Sequence, residues 1–412
     1  MSRKGTGTSG PIANLVGSSS VFVSDPQVIW DPLTARFYFS LFENRGTTSP
    51  DEGIVWGFSK TASPSSYKDF CTYFSGFNYG SSSFPDRQSL GDSANFLLIG
   101  SNRINTSNEY MMGSDVAWIT KPPAGTACPA VNTFGQGIQT LKNPDGSDAY
   151  TPTPARQVDS SSTSYIAATP SYVSGASLTT FSVTQNPTTK QAVIGAPQSV
   201  PVPAYSFPPS APQAGTTKSG SPAEPLQTRI YLTQVIMAFD PRVNHTVLWT
   251  AHTVAGGAGS ELRWYEINPA ANSLDQIGTI SDPSLYVYNG TISPDRLVKG
   301  SKKAFGDSAI ISVNTSSLHA YTAIQMSSVT GGQAASPLVM VQQSTGTDAD
   351  YTCSEPYATY CRWGDYSGAV PDPGAPTKGA TRGAVWMSNQ WNLPTIDDST
   401  PVWRTTIWRA QP

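Results

Sequence analysis

An all-β chain is predicted here: a single β-propeller of six blades, each of four antiparallel strands, closed by the N- and C-terminal strands. Three observations predict it. Helical periodicity is almost absent. Runs of alternating residues, such as FYFSLF, NFLLIGSN, TSYIAAT, HTVLWTAH, SAIISVN and GAVWMSNQW, occur throughout. An aspartate-bearing turn precedes them six times, as a repeat architecture would require.

The turns run in order along the chain. DPQVIWD ends at Asp31 and leads into PLTARFYFSLF, and DRQSLGD ends at Asp92 and leads into SANFLLIGS. ARQVD is a looser copy ending at Asp159, and QVIMAFD ends at Asp240. NGTISPD ends at Asp295, and CRWGDYSGAVPDP carries the sixth, Asp372. They stand 61, 67, 81, 55 and 77 residues apart, so six units nearly fill the 412 residues. Such units exceed the ~40–50 residues of common propeller repeats, so the connecting loops must be long. A pair of β-sandwiches is the rival architecture. Closure is favoured physically, because a blade has two apolar faces and an open end would expose a flat sheet edge. TPVWRTTIWRAQP, the last segment, reads as a strand that could complete a blade begun by SSSVFVSD near the N-terminus.

Residues 1–19 read as a flexible segment and residues 20–412 as the propeller. Within it, PQSVPVPAYSFPPSAPQAGTTKSGSPAEP (197–225) is Pro/Ser-rich. Its prolines cannot donate to a ladder, so it reads as a surface loop between the third and fourth blades and not as a central strand. An interdomain linker is the other reading of this stretch.

Composition excludes several functions. Charged residues make up 13% and the net charge is −3, against about a quarter charged in an ordinary domain. No basic stripe for nucleic acid is present, and no apolar run approaches the ~20 residues that span a bilayer. The first 17 residues have a basic start and no apolar signal core. No Gly-x-Ser-x-Gly elbow occurs, and VAGGAGS lacks the lysine of a phosphate loop. His252 reads as a strand histidine. Four cysteines allow three pairings. Cys353 and Cys361 flank a short loop and are expected to pair, which leaves Cys71 with Cys128; four buried thiols are the alternative. Their spacing fits no zinc motif.

In a propeller, ligands sit at one mouth of the central channel. If the turns close the innermost strands, the residues entering those strands face that mouth: Asp25, Asp86, Arg87, Arg156, Asn289, Arg362 and Asp365. Asp25, Asp86 and Asp365 are then the acid and base candidates for glycoside hydrolysis, which needs two carboxyl groups. Arg87, Arg156 and Arg362 form a clamp for a carboxylate. Trp363 either stacks on a sugar or packs between blades. Such aspartates also commonly pin loops by bonding backbone amides, which is the structural alternative. LRWYEINP reads as an ordinary blade strand. No cofactor is required; Ca²⁺ is the metal that aspartates and loop carbonyls would take.

Four of these strings, DPQVIWDPLTARFYFSLF, DRQSLGDSANFLLIGSN, LRWYEINP and CRWGDYSGAVPDP, resemble the signatures of a family of exported, largely uncharacterised bacterial sialidase-like (neuraminidase-like) β-propellers. The resemblance spans roughly residues 20–412, and RWGDYS, Arg362 to Ser367, is its most specific part. It implies an extracellular or cell-surface propeller that recognises a carbohydrate or cell-surface ligand at the channel mouth, with glycoside hydrolase activity as its chemistry and Tyr366 as nucleophile. The sequence departs from true sialidases in lacking the Ser-x-Asp-x-Gly-x-Thr-Trp box and the early Arg-Ile-Pro. The alternative function is therefore a non-catalytic adhesion or protein-binding propeller.

Overall fold

The computed structural model describes residues 11–16, 22–44, 52–77, 79–123, 125, 127–353, 359–374, 378–394 and 396–412. The chain divides into two compact units, Met1–Pro170 with Thr179–Ser199, and Ser171–Leu178 with Val200–Pro412.

The first unit carries a short helix, α1 (Pro11–Val16), and three antiparallel meanders. Sheet 1 is β1 (Phe22–Asp31), β2 (Arg36–Asn44), β3 (Glu52–Ser59) and β4 (Phe70–Ser75). Sheet 2 is β5 (Ser83–Asp92), β6 (Phe96–Asn105), β7 (Met111–Thr120) and β8 (Gln136–Thr140). Sheet 3 is β9 (Tyr150–Gln157), β10 (Ser164–Thr169), β11 (Ser174–Gln185) and β12 (Ala192–Ile194). Along β6, Leu97 and Ile99 join a core with Ile29, Tyr38 and Trp56, whereas Phe96 and Leu98 join another with Ile166 and Phe181. Alternate residues of one strand thus feed two cores. That is why NFLLIG is a continuous apolar run and not a strict alternation.

Strand β9 packs so closely on sheet 2 that side chains would not fit. A Cβ at Gly100 would stand 2.0 Å from the carbonyl oxygen of Pro152, and one at Gly91 2.5 Å from that of Pro154.

In the second unit a strand, β13 (Gln198–Ser206), opens the Pro-rich stretch and pairs with β11. Val200, Val202 and Tyr205 are buried while Pro201 and Pro203 face outward, so the stretch is part edge strand and not loop throughout. An edge position tolerates proline because one row of N–H groups has no ladder to serve. Sheet 4 follows as β14 (Val235–Asp240), β15 (His245–Gly256), β16 (Gly259–Asn268) and β17 (Ser273–Ile280). Sheet 5 is β18 (Tyr286–Pro294), then, beyond a two-stranded ribbon of β19 (Leu297–Lys299) and β20 (Lys302–Ala304), β21 (Ser308–Ser317), β22 (Ala320–Thr330) and β23 (Val339–Gln343). Sheet 6 has three strands, β24 (Gly368–Pro371), β25 (Val385–Asn392) and β26 (Trp403–Ala410).

The terminal strands pair locally. β26 pairs along its whole length with β25, and β1 pairs with β2 in a sheet already complete at four strands. The expected blade shared between the chain ends falls in part on residues 18–21, which lie outside the described residues. Both expected disulfides are present, Cys71–Cys128 and Cys353–Cys361.

All six turn aspartates fall at, or within two residues of, the end of the first strand of a sheet. Asp31 accepts from the Leu33 amide at 2.8 Å and from Thr34 Oγ1 at 2.8 Å; Asp240 accepts from the Arg242 amide at 2.6 Å. The same six-residue turn follows both, with Ala35 and Asn244 left-handed at φ 49° and 59°. Asp295 instead receives the amides of Gly306 and Gly383, and Asp372 receives the Gly374 amide and the guanidinium Nε–H of Arg409. Asp92 accepts from the Gln157 amide at 2.9 Å and shares Lys121 with Asp31, the ammonium lying 2.8 and 2.7 Å from the two carboxylates.

Asp240 has a further neighbour. Glu266 on β16 is fully buried beside it, and Arg242 Nη2 contacts Glu266 Oε2 at 2.5 Å and Asp240 Oδ2 at 3.4 Å. Burial, then the hydrogen bond and charge of Asp240, push the Glu266 carboxyl up to about 9, against the pull of Arg242.

Two outcomes are expected. Lys121→Met leaves two buried carboxylates unpaired and lowers stability by about 3–5 kcal/mol in urea titration; adding Asp31→Asn and Asp92→Asn recovers much of the loss. Glu266 keeps its proton in the fold at neutral pH and loses it on unfolding. Its contribution is complete below the ordinary glutamate range and is lost as pH rises toward about 9. The urea midpoint read by the stacked pair Trp249 and Trp264 falls between pH 5 and 9, and Glu266→Gln flattens that fall.

Candidate functional site

The entry ends of the first strands share one backbone device. In β1, β5, β9 and β18 the ladder slips so that one extra residue stands on the first strand, at Asp25–Pro26, Arg87–Gln88, Thr151–Pro152 and Asn289–Gly290. One residue of each bulge is left-handed: Asp25 at φ 55°, Arg87 at 55°, Thr151 at 50° and Asn289 at 47°; Gly364, ahead of β24, has 57°. Bulges of this kind re-aim side chains beside a strand end. At Thr151 the β-branched side chain makes the conformation costly. Asn102 holds it there, accepting from the Thr151 amide and donating to Thr151 Oγ1, both at 2.9 Å.

The first unit holds Asp25, Asp86, Arg87 and Arg156. Asp25 is partly exposed and accepts from Ser24 Oγ at 3.1 Å. Asp86 is partly exposed opposite Asn102 in the ladder, and Arg87 is buried. Arg156 reaches from β9 over two neighbouring strands, donating to the Leu90 carbonyl and to Gln27 Oε1, each at 3.2 Å. Burial lowers its guanidinium to about 10, opposed by Asp92, which leaves it a cation at neutral pH.

The second unit holds Asn289, Arg362, Trp363, Asp365 and Tyr366. Here two predicted residues meet: Arg362 Nη2 lies 3.0 Å from Asp365 Oδ2. A residue that the sequence reading missed completes the group, with Arg229 Nη2 2.5 Å from Asp365 Oδ1. Tyr231 lies under the Arg229 guanidinium and donates its hydroxyl to the Asp365 carbonyl at 3.3 Å. The side chains of Arg229, Arg362 and Asp365 are 25%, 38% and 33% exposed, so solvent and solutes reach them. Tyr366 follows, partly exposed. The missed signal was the alternation in TRIYL (228–232), which sets Arg229 and Tyr231 on one side of an extended segment.

Trp363 and Asn289 lie deeper. The Trp363 indole is 2% exposed, packed with Tyr288, Leu226 and Cys361, and its N–H donates to Asn314 Oδ1 at 3.1 Å. It offers no face for a sugar to stack on. The buried Asn289 amide donates to Asn314 Oδ1 at 2.9 Å and Asn389 Oδ1 at 3.0 Å, and it abuts Gly364, where a Cβ would come within 2.3 Å. Both residues therefore fix the loop that carries Arg362 and Asp365.

A cleft of about 410 Å³ opens at the entry end of β18, lined by Tyr286, Ser284, Ala258, Pro212 and the β21–β22 turn with Leu318 and His319. Its lining carries no carboxylate and no arginine. The Asp240–Glu266 pair is no candidate site, because both carboxyls are sealed from solvent. Among the described residues, one group has metal-ligand atoms within 4.8 Å of one another, Asp348 with Cys353 and Cys361. Its two sulfurs are bonded to each other and supply no thiolate.

No family model and no curated protein matches this chain. Among solved structures it is similar to the Trypanosoma rangeli sialidase in complex with sialic acid, at 12% identity and a TM-score of 0.42 over 94% of this chain and 54% of that one. It is also similar to the hemagglutinin-neuraminidase ectodomain of parainfluenza virus 5, at 10% identity and 0.41 over 78% and 70%, and to a β-1,3-galactosidase with galactodeoxynojirimycin, at 7% and 0.32 over 78% and 89%. The chain thus spans about half the length of the trypanosomal sialidase. At such identities and scores, activity and substrate must be argued from this chain's own residues.

Proposed function

We propose that the six sheets are the blades of a propeller, exported from the cell, that binds a carboxylate-bearing glycan through Arg229 and Arg362 and does not cleave it. One observation carries this reading. Two guanidinium groups converge on a single carboxylate, Asp365, at a partly exposed position. The planar donors of the two guanidinium groups suit a second carboxylate. Asp365 orders the two arginines before a ligand arrives, which limits the entropy lost on binding.

The same geometry weighs against hydrolysis. A glycosidase needs two carboxyl groups across the scissile bond, one of them able to give up a proton. Asp365 is engaged by two cations, and the two arginines are its partners in the group. Glycan as the ligand class is supported by the likeness of RWGDYS to sialidase-like propellers. Two disulfides favour an oxidising compartment.

The test is incubation with a mixed pool of sialylated and neutral oligosaccharides, followed by mass spectrometry of the bound and the free fractions. Sialylated chains are expected to be retained intact. Arg229→Ala and Arg362→Ala are each expected to weaken retention about 10- to 100-fold, the range for a lost hydrogen bond to a charged group, with the melting temperature unchanged. Release of free sugar would overturn the non-catalytic reading, and equal retention of neutral chains would overturn the arginine clamp.

A further inference from the structure

The Cys353–Cys361 bridge has an unusual setting for a structural disulfide. Cys361 is fully buried, whereas Cys353 is partly exposed. The Asp348 carbonyl oxygen lies 3.6 Å from the Cys361 sulfur and 3.8 Å from that of Cys353. The Asp348 carboxyl is itself fully buried and stands within 4.8 Å of both sulfurs. It takes part in no ion pair with a lysine or arginine among those seen in the described residues. Gln213 Nε2, which bonds the Asp348 carbonyl at 2.8 Å, also points at the Cys361 sulfur from 3.9 Å.

These groups differ in their offer to the two sulfurs. Cys353 is the one an external nucleophile can reach. Cys361 is the one with the Gln213 amide N–H beside it as well as the Asp348 carboxyl that both sulfurs share, and these are groups that ease departure of a thiolate. We propose that Cys353–Cys361 is a reversible thiol–disulfide exchange site for a dithiol partner, with Asp348 as the acid that protonates Cys361 as it leaves.

The step balances as follows. A thiolate of the dithiol attacks Cys353 Sγ, and the Cys353–Cys361 bond breaks with its electron pair on Cys361 Sγ. Asp348 gives its proton to that sulfur. The second thiol of the partner passes its proton to Asp348 and attacks its own sulfur in the mixed disulfide, so that Cys353 departs as a thiolate. The bridge is reduced by two electrons and the dithiol is oxidised to a disulfide.

Burial, and then the charge of Asp350, raise the Asp348 carboxyl well above the usual range, so it holds the proton that this step spends. Asp350 and, from β18, Tyr288 are the titratable groups that face it. The backbone of Cys361 is held by the Pro225 carbonyl and the Gln227 amide, and the Arg362 amide by Thr352 Oγ1. These bonds do not involve the sulfurs, so the bridge can open with the backbone of Cys361 still held.

The experiment treats the intact protein with graded dithiothreitol between pH 6 and 9, quenches by alkylation, and reads each bridge by peptide mass. Selective opening of Cys353–Cys361 with Cys71–Cys128 intact and the circular dichroism unchanged is expected. Its rate per dithiothreitol thiolate should fall as pH rises through the Asp348 titration. Asp348→Asn should slow opening about a hundredfold and abolish that pH dependence. Opening of both bridges together, only on unfolding, would overturn the proposal in the wild-type protein alone. An Asp348→Asn profile that matches wild type would overturn the role of the acid.

Discussion

Buried polar ties between consecutive first strands are the constraint on which both units depend. A meander of four short strands is self-sufficient in backbone hydrogen bonds but exposes two apolar faces, and apolar contact alone is non-directional. It does not say how far one sheet slides on the next. Polar side chains do. In the first unit Lys121 joins the ends of β1 and β5, and Arg156 joins β9 to both. In the second, the buried Gln234 amide donates to the carbonyls of Ile292 and Ala369 and accepts from the Ala369 amide, fastening β18 and β24 to the lead of β14. Each tie satisfies groups that would be costly to leave bare, so the register of the sheets is held by a penalty on every alternative.

This explains what could be read from the sequence. The aspartate turns were legible because at Asp31, Asp240 and Asp372 the requirement is local, a carboxylate beside the first free amides of the turn that follows, and the same residue recurs at the other first strands. The same holds for the Cys353–Cys361 pair, eight residues apart. Runs such as NFLLIG were legible as strands buried on both faces. What depends on the far side of the fold was not. Trp363 looks like a sugar platform in a string of polar residues, yet it fills a core whose other members come from Ala211, Leu226 and Tyr288. Asn289 looks like a ligand contact, yet its amide is spent on Asn314 and Asn389. Arg229 lies just past the Pro-rich stretch with no local signal of a partner, and only the packing shows it meeting a carboxylate 136 residues away.

The bulges add a second layer. An extra residue at the entry of β1, β5, β9 and β18 turns the side chains there out of the regular alternation, so a polar residue can stand next to a core strand without entering the core. The left-handed conformation this demands suits Asn and Gly, whereas at Thr151 it is held by the Asn102 amide. The repeated geometry accommodates different residues at corresponding positions: an aspartate, an arginine, a threonine, an asparagine and a glycine. The scaffold is thus one thing and the chemistry at its strand ends another, which is why fold alone does not assign an activity.

The arrangement around Asp365 then follows from where rigidity is available. Its loop is anchored behind by Trp363 and by the close fit of Gly364 on Asn289, and in front by two arginines and the Tyr231 hydroxyl. A loop so held presents Arg362 at a fixed place beside Arg229 of the 228–232 segment, and a fixed pair binds a planar anion with less entropy lost than a free pair would. The single covalent anchor of the segment is Cys361, next in sequence to Arg362. Arg362 and the bridged Cys361 are therefore neighbours on one stretch of backbone, which is held by the bridge on one side and by the Trp363 and Gly364 contacts on the other.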